Sequence, residues 1–132
     1  KVLDGIPMSF GDFFAEAFPR QPSVLFGADD MVEIAGGPIS YRQVGRDLSS
    51  RSLQGLHERY APGADTGRTM LSHQGEEAGV VVRGALEVTV GGERRVLRAG
   101  EAYSFDSRLP HRFRNLGADE CELVSACTPP TF

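Results

Sequence analysis

The stretch His73-Gln74-Gly75-Glu76-Glu77, closed by Gly84, and the later stretch His111-Arg112-Phe113-Arg114-Asn115, preceded by Gly100, decide the reading of this chain. Side chains on an extended strand alternate between two faces. In the second stretch Arg112 and Arg114 therefore share one face, and His111, Phe113 and Asn115 the other. The arginine face is the wet one, so His111 points inward. Upstream, Thr69, Leu71 and His73 share a face opposite Arg68, Met70 and Ser72. Leu71 and His73 thus look into the same space.

Around these stretches the pattern is strand and turn from Ile39 onward. Runs at 53–60, 79–83, 85–90, 94–97, 102–105, 111–115 and 120–127 are separated by Gly, Pro or Asp-rich breaks. Many short strands at this spacing predict an all-β sandwich or barrel. Gly91-Gly92, between Val90 and Glu93, reads as a two-residue hairpin because both glycines accept positive φ. Ahead of the strands, Ser9 and Asp12 suit a helix N-terminus, and Phe10, Phe13, Phe14, Ala17 and Phe18 make one apolar stripe that Pro19 ends. Residues 20–50 carry no motif, and there is no internal repeat.

The two opening stretches resemble the paired motifs of the cupin family. The first motif places a Glu and a Gly after its histidines, which His73, Glu77 and Gly84 match. The second joins a Gly to a His and an Asn, matched by Gly100, His111 and Asn115. The first His position of the pattern falls on Leu71, and Asp106 and Arg108 replace the usual Pro and inner Gly. Together with Pro110-His111, the closing Thr128-Pro129-Pro130-Thr131-Phe132 and Met8-Ser9-Phe10-Gly11-Asp12-Phe13-Phe14, these residues are similar to the cupin sensor domains of bacterial helix-turn-helix (XRE-type) regulators, including those that govern putrescine utilisation. The resemblance implies a double-stranded β-helix, or jelly-roll, barrel over residues 19–132. It also implies a linker helix over residues 1–18, following a DNA-binding domain that this chain lacks; the start at Lys1 rather than Met agrees with that expectation.

Bulk properties set bounds. A chain of 132 residues with 40% apolar side chains suits one domain with a real core. With 18 acidic against 14 basic residues the formal charge is −4, which repels phosphate backbones. DNA contact is expected only through the missing domain. No apolar run approaches membrane-spanning length and no signal-peptide pattern opens the chain, so no membrane partner and a cytoplasmic location are expected. Cys121 and Cys127 sit about 20 Å apart along one strand and cannot pair without breaking it. They read as small apolar fillers, with redox sensing as the alternative.

The resemblance makes His73, Glu77 and His111 a candidate metal set, one donor short of the usual four because of Leu71. Two imidazoles and a carboxylate suit zinc, iron, manganese or nickel with positions left open. The same three groups could instead form a hydrogen-bonded cluster without metal, since a buried carboxylate needs partners. A third reading is direct ligand recognition: Glu76 and Glu77 as paired charge for a cationic amine, with His73, His111 and, by strand parity, Arg83 as further ligand-binding residues. His57, beside Glu58 and Arg59, reads as a surface or partly buried residue. Arg108, Arg112 and Arg114 read as a solvated face. No Ser/His/Asp set, no Cys with a nearby His and no phosphate loop is present. The expected function is an effector-binding, dimerising domain of a transcriptional regulator, sensing a small molecule such as a polyamine. The rivals are a metal-dependent cupin enzyme, a dioxygenase or isomerase, and a purely structural module.

Overall fold

A computed structural model describes residues 24–67 and 70–131. The expected Phe10–Phe18 helix, and Arg68 and Thr69 of the first alternation, lie outside the described residues. After a 3-10 turn at Ala28–Asp30 the described residues form nine strands: β1 Val32–Ala35, β2 Ile39–Gln43, β3 Gln54–Tyr60, β4 Glu76–Arg83, β5 Ala85–Val90, β6 Glu93–Arg98, β7 Ala102–Asp106, β8 His111–Arg114 and β9 Cys121–Thr128. They pair antiparallel in two sheets, β1-β2-β3-β9-β4-β7 and β6-β5-β8. This is the expected all-β jelly roll. The seven strands read from the sequence are present, with β4 starting earlier, at Glu76. Within residues 20–50 the pair β1 and β2 adds an edge to the larger sheet.

Alternation drives the packing. Gln54, Leu56, Glu58 and Tyr60 of β3 face inward while the residues between them are half-exposed. Cys121, Leu123, Ser125 and Cys127 of β9 repeat the pattern in register. Tyr60, Val81, Leu86, Val88, Leu97, Phe113 and Leu123 fill the space between the sheets. Both cysteines are buried free thiols, and burial pushes the Cys121 thiol up to about 11, as fits a filler.

Two departures from regular strand geometry position the site. The segment before β4 runs alongside β8 through bridges Asp65↔Arg114 and Leu71↔His111 and through His73 N–H donating to the Ser107 carbonyl at 2.9 Å, which brings the first motif against the second. Between His73 and Glu77 the chain then turns at Gly75, whose φ is 117° and where a Cβ would lie 1.7 Å from the Thr128 carbonyl oxygen. Only glycine fits there.

Candidate functional site

Inside the barrel, His73, Glu77 and His111 converge, with one ligating atom of each within 4.8 Å of the others. His73 Nε2 lies 3.1 Å and His111 Nε2 3.4 Å from Glu77 Oε2. Ser107, fully buried, donates its hydroxyl to the same oxygen at 3.0 Å. The imidazole of His111 is 1% exposed and is walled by Phe105, with ring centroids 5.0 Å apart.

The backbone fixes the histidine tautomers. His111 Nδ1 lies 2.7 Å from the Leu109 carbonyl, which can only accept, so Nδ1 carries the proton. His73 Nδ1 faces the Gln74 carbonyl in the same sense at a longer 3.4 Å. In their neutral forms both rings therefore turn an Nε2 lone pair toward an anionic carboxylate oxygen. Three electron-rich atoms this close call for positive charge between them: a proton, a metal ion or a ligand cation. The two imidazole-to-carboxylate spacings are those of ligands on one metal ion. Ligand atoms about 2.1 Å from one ion lie about 3.0 Å apart at right angles and about 3.4 Å apart at the tetrahedral angle. The carbonyl behind His111 is also the kind of outer partner that orients metal-bound imidazoles.

A second acidic layer lies deeper. Glu58 of β3 is 5% exposed, accepts the Tyr60 hydroxyl at 2.9 Å and that of Ser125 on its other oxygen, and lines the same cavity of about 60 Å³ as Glu77. Burial, set against those two hydrogen bonds and reinforced by Glu77, raises its carboxyl to about 7. Tyr41, edge-on to Tyr60 at 6.5 Å, is pushed up to about 12 by burial and by Glu58. Leu71 lines this cavity beside His73, as parity predicts.

The Cupin_2 (Cupin domain) family profile matches residues 56–127, a span that runs from within β3 through the triad into β9. The chain belongs to the Cupin_2 family. It is 36% identical over 133 residues to the HTH-type transcriptional regulator PuuR of Escherichia coli K12, and equally to that of Shigella flexneri, covering 100% of this chain and 71% of the relative. Among solved structures it is similar to an RmlC-like cupin from Shewanella frigidimarina (20% identity, TM-score 0.69, 84% of this chain and 96% of that one). It is also similar to the Cupin_2 domain of an XRE family transcriptional regulator from Enterobacter cloacae (23% identity, TM-score 0.62, 72% and 100%). At these identities the structures establish the fold.

Within this cupin, the motif residues divide into two kinds. His73, Glu77 and His111 meet in the cavity. Asn115 does not face it: fully buried, it donates to the Tyr60 and Asp119 carbonyls at 2.9 Å each and accepts from Gly117 N–H, tying down the loop before β9. Gly84, with φ of 82°, sits where a Cβ would come 2.6 Å from the Glu120 carbonyl oxygen.

Two expected ligand residues lie elsewhere. Glu76 neighbours Glu77 on one strand, so alternation turns it to solvent; adjacent carboxylates on a strand cannot aim at one ligand. Arg83 faces outward because Val82 is an extra residue in β4, placed between the pairs Val81↔Leu123 and Arg83↔Glu122, and the bulge reverses the parity that joined Arg83 to Glu77. Arg83 is 54% exposed and holds Glu120 at 2.8 Å and Glu122 at 3.1 Å. His57 is half-buried on the outer face with Glu122, as expected for a non-ligand. Arg108, Arg112 and Arg114 each pair locally, with Asp106, Asp65 and Glu87. Sequence reasoning missed Glu58, Tyr60, Ser107 and Ser125. For Glu58 the signal was present: it stands two residues from both Leu56 and Tyr60, on the apolar parity of β3.

Proposed function

We propose that this chain is the effector-binding domain of a bacterial helix-turn-helix regulator, acting in a cytoplasmic homodimer, and that its effector is a small cationic amine. The observation that carries the reading is the orientation of His73, Glu77 and His111, which turn two imidazole lone pairs and a carboxylate toward one point. An ammonium group brings three N–H donors and a positive charge to such a point. The lining agrees: among the described residues it contains Glu58 and Glu77 and neither Lys nor Arg, so these side chains offer an anionic ligand no partner beyond the imidazoles. Similarity over the whole chain to a transcriptional regulator supports a regulatory role, with DNA contact left to a separate domain. Amine binding would favour one arrangement of the dimer and so change the DNA affinity of that domain.

Thermal unfolding with added diamine tests this. Putrescine at about one hundred times its dissociation constant stabilises the folded state by about 2.7 kcal/mol, and Glu77→Gln weakens the response. An unchanged melting curve in millimolar diamine, with a shift on adding a carboxylate or a sugar, would leave the amine reading without support.

A second reading rests on the 3.1 and 3.4 Å spacings and the Leu109 carbonyl behind His111. On it, His73, Glu77 and His111 hold zinc, iron, manganese or nickel, with Ser107 fixing the carboxylate. Such an ion, when bound, supplies Lewis acidity and coordination positions for a ligand or, in an enzyme of the dioxygenase or isomerase kind, a substrate. Elemental analysis of the purified chain beside His111→Ala distinguishes this reading, since the variant loses the metal together with one of three ligands.

A further inference from the structure

Glu58 has no part in the triad, yet it lines the same cavity and is more deeply buried than either His73 or Glu77. A carboxylate offers about four lone-pair positions. Here Tyr60 takes one on Oε1 and Ser125 one on Oε2, and both donors are neutral hydroxyls. Among the described residues no Lys or Arg lines the cavity, so Glu58 has hydrogen bonds there but no counter-charge. An anion buried in this way costs several kcal/mol unless a cation joins it. The rings of Tyr41, Tyr60 and Phe113 line the same cavity, and aromatic walls in a cavity that holds an anion suit an organic cation better than a hydrated metal ion.

We infer that Glu58, held by Tyr60 and Ser125 in a cavity also lined by Tyr41 and Phe113, is a second, inner subsite that binds a primary ammonium group beside the His73–Glu77–His111 cluster. A monoamine would favour the inner subsite, whose carboxylate is the more deeply buried of the two. A short diamine would span the cavity, one ammonium at Glu58 and the other at Glu77, and this ties the subsite to the effector reading proposed above. The cavity of about 60 Å³ restricts the choice to slender, unbranched amines. A hydroxyl or methyl group in place of the ammonium leaves the Glu58 charge uncompensated, so alcohols and alkanes of the same length bind poorly.

Calorimetric titration of the whole chain at pH 8 with n-propylammonium, putrescine and n-propanol provides the test. The expected result is binding of both amines and not of propanol. Glu58→Gln weakens both amines tenfold or more, whereas Glu77→Gln weakens putrescine by a larger factor than it weakens n-propylammonium. Glu58→Asp, which keeps the charge but withdraws it by one methylene, gives an intermediate loss and serves if the glutamine variant does not fold. If Glu58→Gln binds both amines as the parent does while Glu77→Gln does not, the inner subsite is wrong and the amine-sensor reading stands. If n-propylammonium binds in a Glu58-dependent way and putrescine does not bind, the subsite stands and the diamine reading falls. A parent chain that binds neither amine overturns both.

Discussion

Replacing Glu58 by glutamine converts a buried charge into a neutral side chain of nearly the same shape, and the consequence for stability can be worked from its pKa. The carboxyl titrates near its ordinary value of 4.5 when unfolded and at about 7 when folded, chiefly through burial. Between those values the folded state holds the proton more tightly than the unfolded state. Stability from this group is therefore fully present below pH 4.5 and is lost as pH rises through 7. One pKa unit is worth 1.36 kcal/mol, so a displacement of about 2.5 units removes about 3 kcal/mol across that window.

Glutamine cannot titrate, so the variant escapes this loss. Whatever constant cost or gain the amide brings through its altered hydrogen bonds to Tyr60 and Ser125 does not depend on pH. The difference in unfolding free energy, variant minus parent, should rise by about 3 kcal/mol between pH 4.5 and 8 and level off above. Urea denaturation of both proteins at half-unit pH steps measures it, and carboxylates and histidines that do not interact with Glu58 cancel in the difference. A flat difference would mean that Glu58 is solvated or already paired with a cation in the folded state. A difference that falls with pH would mean that its folded pKa is depressed, so that Glu58 already has a counter-charge in the folded protein.

Gly75→Ala should lower stability by more than about 2 kcal/mol in urea unfolding, because a Cβ there meets the Thr128 carbonyl oxygen and the left-handed φ adds strain. Arg83→Ala and Glu76→Gln should leave amine and metal binding unchanged and alter stability by no more than about 1 kcal/mol, since both side chains are exposed and face away from the cavity. Ser107→Ala should weaken zinc or manganese binding about tenfold or more, measured by competition with a chelator, if Glu77 is a metal ligand that this hydroxyl orients. Sedimentation at tens of micromolar, roughly ordinary assay conditions, should find a dimer, and a monomer would remove the proposed coupling of effector to dimer arrangement.

The strands and the triad were legible because the sequence there obeys simple periodicity. In 111–115 two arginines mark the wet face, and the bridge Leu71↔His111 with the Ser107 carbonyl carries the first motif to the second, as their shared family pattern implies. What was lost follows from one geometric event and one chemical one. Parity counting runs from Glu77 to Arg83 without interruption only if every residue of β4 pairs, and Val82 does not. No side chain near it announces the bulge: Val80, Val81 and Val82 are the same residue, and only the pairing with β9 shows which one is extra.

Glu58 is the chemical case, and it bears directly on function. In His57-Glu58-Arg59 three ionisable side chains stand in a row, and charge of that kind ordinarily marks a solvated face. Yet the apolar neighbours on the same parity, Leu56 and Tyr60, force Glu58 inward while His57 and Arg59 turn out. The barrel could have satisfied that parity with a leucine, at lower cost in desolvation and with no dependence on pH. It places instead a carboxylate, two hydroxyls to hold it and three aromatic rings around the cavity. A local choice that opposes its own burial is the kind expected at a functional position rather than a structural one. The triad meets the same description in the same cavity, where two imidazole nitrogens and a carboxylate face one another with no Lys or Arg among the described lining residues. Glu58 and Glu77 thus line one cavity with no Lys or Arg among its described lining residues, and a ligand that carries a cation at each end of a short apolar chain would supply positive charge to both at once.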